Sequence, residues 1–145
     1  MADRQQFPYV AVRNTSGEVG LRPLLPISLH YMEHKHMEHK REASGLLDTG
    51  ADVNVLPYQL GLELGGVWDN QRTSIQLSGN LANYSARGII LEASVANFPP
   101  VKLAFAWTQA ENVPLILGQV NFFIEFDVCF FRSRSSFEIG LRPNS

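Results

Sequence analysis

The stretch LLDTGA, residues 46–51, places one aspartate, Asp48, where an apolar run passes into a polar turn. Gly50 permits a tight bend and a close approach of the backbone to a ligand, and the Thr49 hydroxyl can fix the loop by a hydrogen bond. A carboxylate held in this way at the end of a strand is suited to moving protons in acid–base chemistry. The tripeptide alone also fits an ordinary turn after a strand, so a catalytic interpretation needs a second feature.

That second feature lies in VPLILGQVNFF, residues 113–123, where the apolar run LIL meets Gly118. A short helix is predicted within residues 119–126, because Phe122, Phe123 and Phe126 recur at helical spacing. A strand, a glycine and a helix in this order form a second structured turn. The two stretches together are more specific than either one alone.

Short apolar runs separated by turn residues dominate the rest of the chain, which predicts strands rather than helices. The predicted strands are YVAV, LLPISLHY, SGLL, SIQL, RGIILEASV, VKLAFAW, PLIL, DVCFF and SFEI, and LGLELGG is predicted as a break. Strands at this spacing favour a closed or folded-over antiparallel β domain. The sequence has no linker, so we expect a single domain over residues 1–145.

Taken together, the two stretches resemble the retropepsin-like aspartic proteases, the family of the retroviral proteases. DTGAD at residues 48–52, followed by Val55 and Leu56, is similar to the catalytic motif of that family. LIL with Gly118 is similar to the element that packs beside the catalytic loop, and RPLLPISL, residues 22–29, is similar to a strand of the retroviral members. The resemblance spans residues 22–139 and looks like a stand-alone cellular or bacterial-type member.

The resemblance implies a fold and an assembly. The fold is all-β, a closed β-barrel forming half of an acid protease, with one short helix, a core over residues 22–141 and a loop insertion at residues 32–40. Pepsin-like members carry two Asp-Thr/Ser-Gly motifs in a longer chain, whereas Asp48 stands in the one such motif of this sequence. The second carboxylate is therefore expected from a second copy, since a two-fold dimer places the same residue on both sides of its axis.

The activity implied by the resemblance is that of an aspartic endopeptidase acting on a peptide or protein substrate, with no cofactor and no metal. Two carboxylates about 3 Å apart hold one proton between them. The ionised carboxylate takes a proton from a shared water that attacks the peptide carbonyl, and the protonated one donates to the carbonyl oxygen. Ala51 lacks the hydroxyl found in many pepsin-like enzymes, which predicts a pH optimum less acidic than theirs.

Residue roles are carried over by position from the resemblance. The expected catalytic residues are Asp48, Thr49 and Gly50. A mobile hairpin flap is expected at residues 74–91, with its turn at residues 78–80. The expected substrate-binding residues are Ala51, Asp52, Val55, Gly79, Leu81 and Ile116. The expected dimer or structural residues are Arg22, Gly118 and Asn121.

The dimer departs from the retroviral pattern at one position. Retroviral members follow the second glycine with an arginine that pairs with the aspartate at the Asp52 position, but Gln119 stands here. Arg22 of a second copy is then the remaining ion-pair candidate for Asp52. The strands that join the two copies are expected from the termini, around FPYVAV and SFEIGL.

Composition and charge exclude several other classes of protein. Apolar residues make up 45% of the chain and charged residues 18%, so a packed core is expected. The net charge is −2 and no basic stripe is present, so no nucleic-acid partner is expected. No apolar run approaches a membrane span, and MADRQQFPYV has no signal-peptide core, so we expect a cytoplasmic protein without a membrane partner. The single cysteine, Cys129, is interpreted as a core residue.

The segment MEHKHMEHK, residues 32–40, repeats the motif Met-Glu-His-Lys. Its histidines, His34, His36 and His39, are of a type that binds zinc, copper or nickel. Their spacing matches no zinc motif, and loops tolerate insertions, so a charged and solvated hairpin tip is expected instead.

Three alternatives to a protease remain open. The first is a non-catalytic peptide-binding or scaffold module on the same fold, against which the intact Asp-Thr-Gly argues. The second is a metal-binding protein that uses the histidine segment. The third is a generic β domain in which the two motifs coincide by chance.

Overall fold

A computed structural model describes residues 3–32 and 39–143. This part of the chain is mostly β, with a few short helices. The strands are β1 Arg4–Pro8, β2 Val10–Arg13, β3 Val19–Arg22, β4 Leu24–Tyr31, β5 Arg41–Leu47, β6 Asn54–Leu56, β7 Ala86–Ser94, β8 Val101–Thr108, β9 Leu115–Leu117, β10 Phe126–Phe131 and β11 Ser136–Leu141. The α-helices are α1 Tyr58–Glu63 and α2 Phe122–Glu125, and 3₁₀ turns cover Trp68–Asn70, Gly79–Leu81 and Arg132–Arg134.

Six strands close into a barrel in the order β4-β5-β9-β6-β8-β7. Side chains alternate across each strand, so every second residue of β7 and β8 points into the barrel. Those inward residues are buried, namely Ile89, Leu91, Leu103, Phe105 and Trp107. The closed barrel predicted from the sequence is therefore present.

The sequence predicted an antiparallel barrel, but the strand pairing in the barrel is mixed. β4 pairs antiparallel with β5 and β7, but β5 pairs parallel with β9, and β6 pairs parallel with β8. The sequence pattern could not show this, because buried parallel and antiparallel strands share the same apolar residues. The parallel pair β5–β9 matters for the site, because it brings the ends of two distant strands together.

The two terminal segments pair with each other inside one chain, in a separate sheet of order β1-β11-β10. Phe7 of β1 stands opposite Phe137 of β11, and the two rings stack with centroids 5.4 Å apart. Strands β2 and β3 form a hairpin of their own. A contact between these terminal segments and a second copy stays a prediction.

The helices differ in number from the expectation of one. Helix α2 lies inside the predicted range 119–126, so that prediction is confirmed. Helix α1, however, occupies part of LGLELGG, which was wrongly predicted as a break. The glycines of that stretch suggested a turn, but Gly61 lies buried within the helix and Leu64 packs into the core directly after it.

Most predicted strands are confirmed, and one is wrong. SIQL forms no strand, because Ser74 makes an isolated bridge to Arg87 and the following residues turn away. Strands β1, β3 and β6 were not predicted, and each is a short segment of three to five residues.

Trp107 is the centre of an aromatic cluster beneath α1. Its ring is fully buried, lies 5.7 Å from that of Tyr58 and meets that of Trp68 edge-on at 5.1 Å. The indole N–H donates to the carbonyl of Tyr58 at 3.0 Å, which satisfies its one polar group. The helix can approach this cluster closely because Gly61 has no side chain there.

Part of the predicted loop insertion at 32–40 lies outside the described residues, including His34 and His36. His39 is described, and its Nδ1 lies 3.4 Å from the carbonyl oxygen of Glu63. Within the described ranges, no three His, Cys, Asp or Glu side chains are grouped so that they could hold a metal ion. The same residues contain no helix with the length and apolar character needed to cross a membrane.

We predict that Gly61→Ala destabilises the fold, because the added Cβ would overlap the buried indole of Trp107. Overpacking a core costs about 1–3 kcal/mol, whereas replacing glycine by alanine in a helix gains roughly 1 kcal/mol. We expect the cost of the overlap to lie in the upper part of its range and therefore to exceed this gain. Urea unfolding measures the difference in the free energy of unfolding.

The matched control is Gly88→Ala, where the nearest atom to a new Cβ is the Ile75 Cδ1 at 3.4 Å. We expect this variant to stay within about 0.5 kcal/mol of the wild type. Equal stability of the two variants would contradict the close packing at Gly61.

Candidate active site

Asp48 lies directly after β5, where the neighbouring strand β9 also ends. β5 and β9 pair in parallel with Leu47 opposite Leu117, so the residues that follow them, Asp48 and Gly118, emerge side by side. The Asp48 N–H donates to the Leu117 carbonyl at 3.0 Å, which extends the strand pairing to the aspartate itself. The two motifs singled out in the sequence therefore meet in the structure.

The loop fixes the Asp48 side chain by a hydrogen bond from its own backbone. The Gly50 N–H donates to Asp48 Oδ1 at 2.9 Å, and the Ala51 N–H donates to the Asp48 carbonyl at 3.1 Å. Asp48 is half-buried, while Thr49 and Gly50 are exposed. The carboxylate is thus oriented by the protein and still reachable from solvent.

Gly118 lies where two backbone segments cross. A Cβ on this residue would stand 2.6 Å from the Val53 carbonyl oxygen and 2.8 Å from that of Ala51. Just beyond it, the Gln119 N–H donates to the Ala51 carbonyl at 2.9 Å, and the Val120 N–H donates to the Asp52 carbonyl at 2.7 Å. Any side chain at position 118 would push the loop after Asp48 away from β9.

Asn54, which was not among the predicted site residues, fastens this crossing. Asn54 is fully buried, its Oδ1 accepts from the Gly118 N–H at 2.8 Å, and its Nδ2 donates to the Ala104 carbonyl at 3.0 Å. The feature of the sequence that could have identified Asn54 is its position as the one polar residue in the apolar run VNVL, residues 53–56. A buried polar side chain is hydrogen-bonded as a rule, so this amide pointed to a structural contact.

Gln119 contributes a different contact from the arginine of retroviral members. Its Nε2 donates to the carbonyl of Thr49 at 2.8 Å, which ties the turn after β9 to the Asp48 loop. Neither Asp48 nor Asp52 takes part in an ion pair within the part of the chain that the structure describes. Gln119 thus holds the Asp48 loop by a neutral hydrogen bond and not by an ion pair.

A pocket of about 250 Å³ opens beside this loop. One wall is the loop after Asp48, another is the pair Val55 and Ile116, and a third is the segment after Gln76. The lining residues are Gly50, Ala51, Asp52, Val53, Val55, Gln76, Leu77, Ser78, Leu81 and Ile116. A larger cleft of about 590 Å³ lies next to α1, but no residue of the Asp48 loop lines it.

This pocket brings together five of the six predicted substrate-binding residues. They are Ala51, Asp52, Val55, Leu81 and Ile116. Gly79 does not line it and instead stands at the start of the 3₁₀ turn with a φ of +64°. Whether these residues bind a substrate stays a prediction.

The predicted flap does not form a regular hairpin, which corrects the expectation for residues 74–91. Ile75 and Gly88 take part in backbone pairing at its base, with β7 as one arm, but the other arm is irregular and ends in the 3₁₀ turn Gly79–Leu81. Leu77 is buried against Val55 and anchors the irregular arm over the pocket. The segment SIQLSGN contains no long run of alternating apolar and polar residues, so it does not form a second strand along the full length of β7.

The other predicted structural residues lie apart from the pocket. Asn121 begins α2 with a φ of +91°, and its Oδ1 accepts the N–H of Ala104, so it joins α2 to β8 within the chain. Arg22 is exposed at the end of β3, and its Nη1 donates to the Leu21 carbonyl at 3.5 Å. A role for either residue between two copies stays a prediction.

Of the comparisons with known proteins, the one with solved structures bears on the fold. No protein-family model matches the sequence, and no curated protein matches it. Among solved structures, a retropepsin-like aspartic protease from Rickettsia conorii is similar over 97% of this chain and 94% of that one, with 13% identity and a TM-score of 0.61. The EIAV protease complexed with the inhibitor HBY-793 gives 20% identity over 74% of this chain and 88% of that one, with a TM-score of 0.47. The chain has a retropepsin-like fold.

We predict that Asn54→Ala destabilises the protein and lowers any activity of the Asp48 loop, because it leaves the buried Gly118 N–H without a partner. Such a loss costs about 1–3 kcal/mol. Urea unfolding measures the stability, and Asn83→Ala, at an exposed position, is the matched control. A loss no larger than that of the control would mean that Asn54 does not fasten the crossing.

Proposed function

We propose that the chain is an aspartic endopeptidase that hydrolyses peptide bonds with a water molecule activated between the Asp48 residues of two copies. The observation that carries this proposal is the position of Asp48, which is half-buried at a strand end, held by the Gly50 N–H and next to a pocket. Retropepsin-like topology adds support, because it gives the loop a partner strand end at Gly118.

The proton transfers need two carboxylates in one place. The Gly50 N–H fixes one oxygen of Asp48, which orients the carboxylate and leaves the other oxygen for a water molecule or for the second carboxylate. Two such groups about 3 Å apart retain one proton, so one is a base and the other an acid. The base takes a proton from the water, and the acid protonates the carbonyl oxygen of the substrate.

The second carboxylate would come from another copy of the chain in a two-fold arrangement. Thr49 is exposed beside Asp48, which leaves its hydroxyl accessible to the same residue across the axis. Arg22 and Asp52 carry opposite charges and have no ion pair inside the described part of one chain, so they suit a pair between copies. One copy alone holds half of the catalytic centre.

A peptide substrate would lie extended along the loop and the pocket. The backbone of Gly50 and the side chain of Asp52 would bind its main chain, as extended peptides are bound by exposed backbone groups. Val55, Ile116 and Leu81 give the pocket an apolar part. We therefore infer a preference for apolar or aromatic side chains next to the cleaved bond.

A second candidate function is a non-catalytic peptide-binding or scaffold module. The observation that favours it is the irregular segment of residues 75–85, which lacks the hairpin that would close over a substrate. The two candidates differ in whether Asp48 is needed for a chemical step or only for the fold.

We predict that the purified protein cleaves peptides from a library between about pH 4 and about pH 7, and that Asp48→Asn lowers the rate by at least about 10²–10⁴-fold. The cause is the loss of the acid–base pair, since asparagine keeps the shape but neither gives nor takes the proton. Cleavage should also be blocked by pepstatin-type inhibitors.

Asp69→Asn is the matched control, because Asp69 is 93% exposed and lies outside the pocket. It should cleave at the wild-type rate. Cleavage that survives in Asp48→Asn would overturn the mechanism, and a dimeric protein that cleaves nothing would favour the scaffold module.

A further inference from the structure

The segment that precedes β7 forms an arch beside the pocket. Its ascending leg is residues 73–77, its descending leg is residues 82–85, and the 3₁₀ turn joins the two legs at the top. The base is closed by the Ile75 N–H, which donates to the Ala86 carbonyl at 2.9 Å. Above the base, both legs line a hollow of about 330 Å³. The legs are therefore separated there by open space and not by packed side chains.

One side chain, that of Gln76, joins the two legs above the hollow. Its Nε2 donates to the Leu77 carbonyl at 3.0 Å and to the Ala82 carbonyl at 3.1 Å. The backbone hydrogen bonds higher in the arch stay inside the turn, where the N–H groups of Leu81, Ala82 and Tyr84 donate to carbonyls three residues earlier. The amide of Gln76 thus closes the neck of the arch between its ascending and descending legs.

The arch supplies the third wall of the pocket beside the Asp48 loop. Leu77 is 7% exposed and belongs to the same buried cluster as Val55, and Leu81 packs against that cluster. Both leucines line the pocket, together with Gln76 and Ser78. Leu77 precedes the turn and Leu81 ends it, so the distance between these two side chains depends on how tightly the neck of the arch is closed.

A wall that is held in this way keeps the size of the pocket constant. To widen the pocket, the arch would have to break the bonds of Gln76 or pull Leu77 out of its buried contact with Val55. A pocket of fixed size rejects side chains that are too large and gains little from those that are too small, whereas a wall that moves can adapt to both. The closed neck therefore favours discrimination between apolar side chains by their size.

We propose that Gln76 is a positioning residue that sets the selectivity of the pocket, because its amide holds the arch as a fixed wall and not as a mobile flap. It acts through Leu77 and Leu81, the apolar side chains that the closed neck keeps in place. The pocket then selects one size of apolar side chain in an extended peptide. This inference rests on the proposed function in one respect, namely that the pocket receives a side chain of a bound peptide.

The test is the binding of four labelled peptides that differ at one apolar position, which carries valine, leucine, phenylalanine or tryptophan. Chains with Asp48→Asn bind the peptides without consuming them, and fluorescence anisotropy measures the four dissociation constants. Adding Gln76→Met keeps the length of that side chain and removes its N–H donors. We expect this change to narrow the spread between the tightest and the weakest peptide about three- to tenfold, the factor that one net hydrogen bond supplies.

Gln59→Met is the matched control, because Gln59 is exposed on α1 and lines the cleft there and not the pocket. It should change the spread less than about twofold. A general loss of stability would weaken all four peptides by the same factor, so the spread separates positioning from a merely structural effect.

Hydrogen exchange tests the role of Gln76 without any peptide. The amides of Leu81, Ala82 and Tyr84 donate within the turn, so they should exchange faster in Gln76→Met than in the wild type. The amides of β7 and β8 should exchange at unchanged rates, which verifies that the barrel is kept.

The inference is overturned by an unchanged spread in Gln76→Met, by unchanged exchange of the three turn amides, or by a protein that binds none of the four peptides. Failure of the proposed function has a different signature. A wild-type chain that cleaves no peptide, while the spread of binding still depends on Gln76, removes the protease and keeps this inference.

Discussion

The crossing of the backbone at Gly118 is the constraint on which the site depends. There the residues after β9 pass so close to the carbonyls of Ala51 and Val53 that a side chain would not fit. Parallel pairing of β5 with β9 sets up the crossing, and the buried amide of Asn54 fastens it from the other side. The loop that carries Asp48 is held by backbone hydrogen bonds at both ends, from the Asp48 N–H to the Leu117 carbonyl and from the Gln119 N–H to the Ala51 carbonyl.

The same constraint bears on the proposal that one copy holds half of a catalytic centre. The crossing fixes the loop that carries the Asp48 carboxylate beside the pocket, and among the described residues Asp52, in the same loop, is the aspartate that lines the pocket. Under the proposed function, a second copy supplies the other Asp48 that the acid–base chemistry needs.

Local features of the sequence predicted the parts of the site that depend on local chemistry. Asp48 with Thr49 and Gly50, the strand before Gly118 and the helix after it were all readable from neighbouring residues. Asn54 was not, because its partner Gly118 lies 64 residues away and only the folded chain brings them together. Helix α1 was hidden for a related reason, since Gly61 signals a turn locally but is required by the distant Trp107. SIQL has the composition of a strand, but its pairing with β7 stops at the isolated bridge between Ser74 and Arg87.

The most direct test of the account is a mixing experiment, because its central claim is that each catalytic centre takes one Asp48 from each of two copies. The cleavage rate is measured after subunit exchange between wild-type chains and Asp48→Asn chains, at a constant total concentration well above the dimer dissociation constant. A shared centre predicts that the rate falls as the square of the wild-type fraction, to about one quarter in an equal mixture. A linear fall, to about one half, would contradict the account, because each chain would then carry a complete centre.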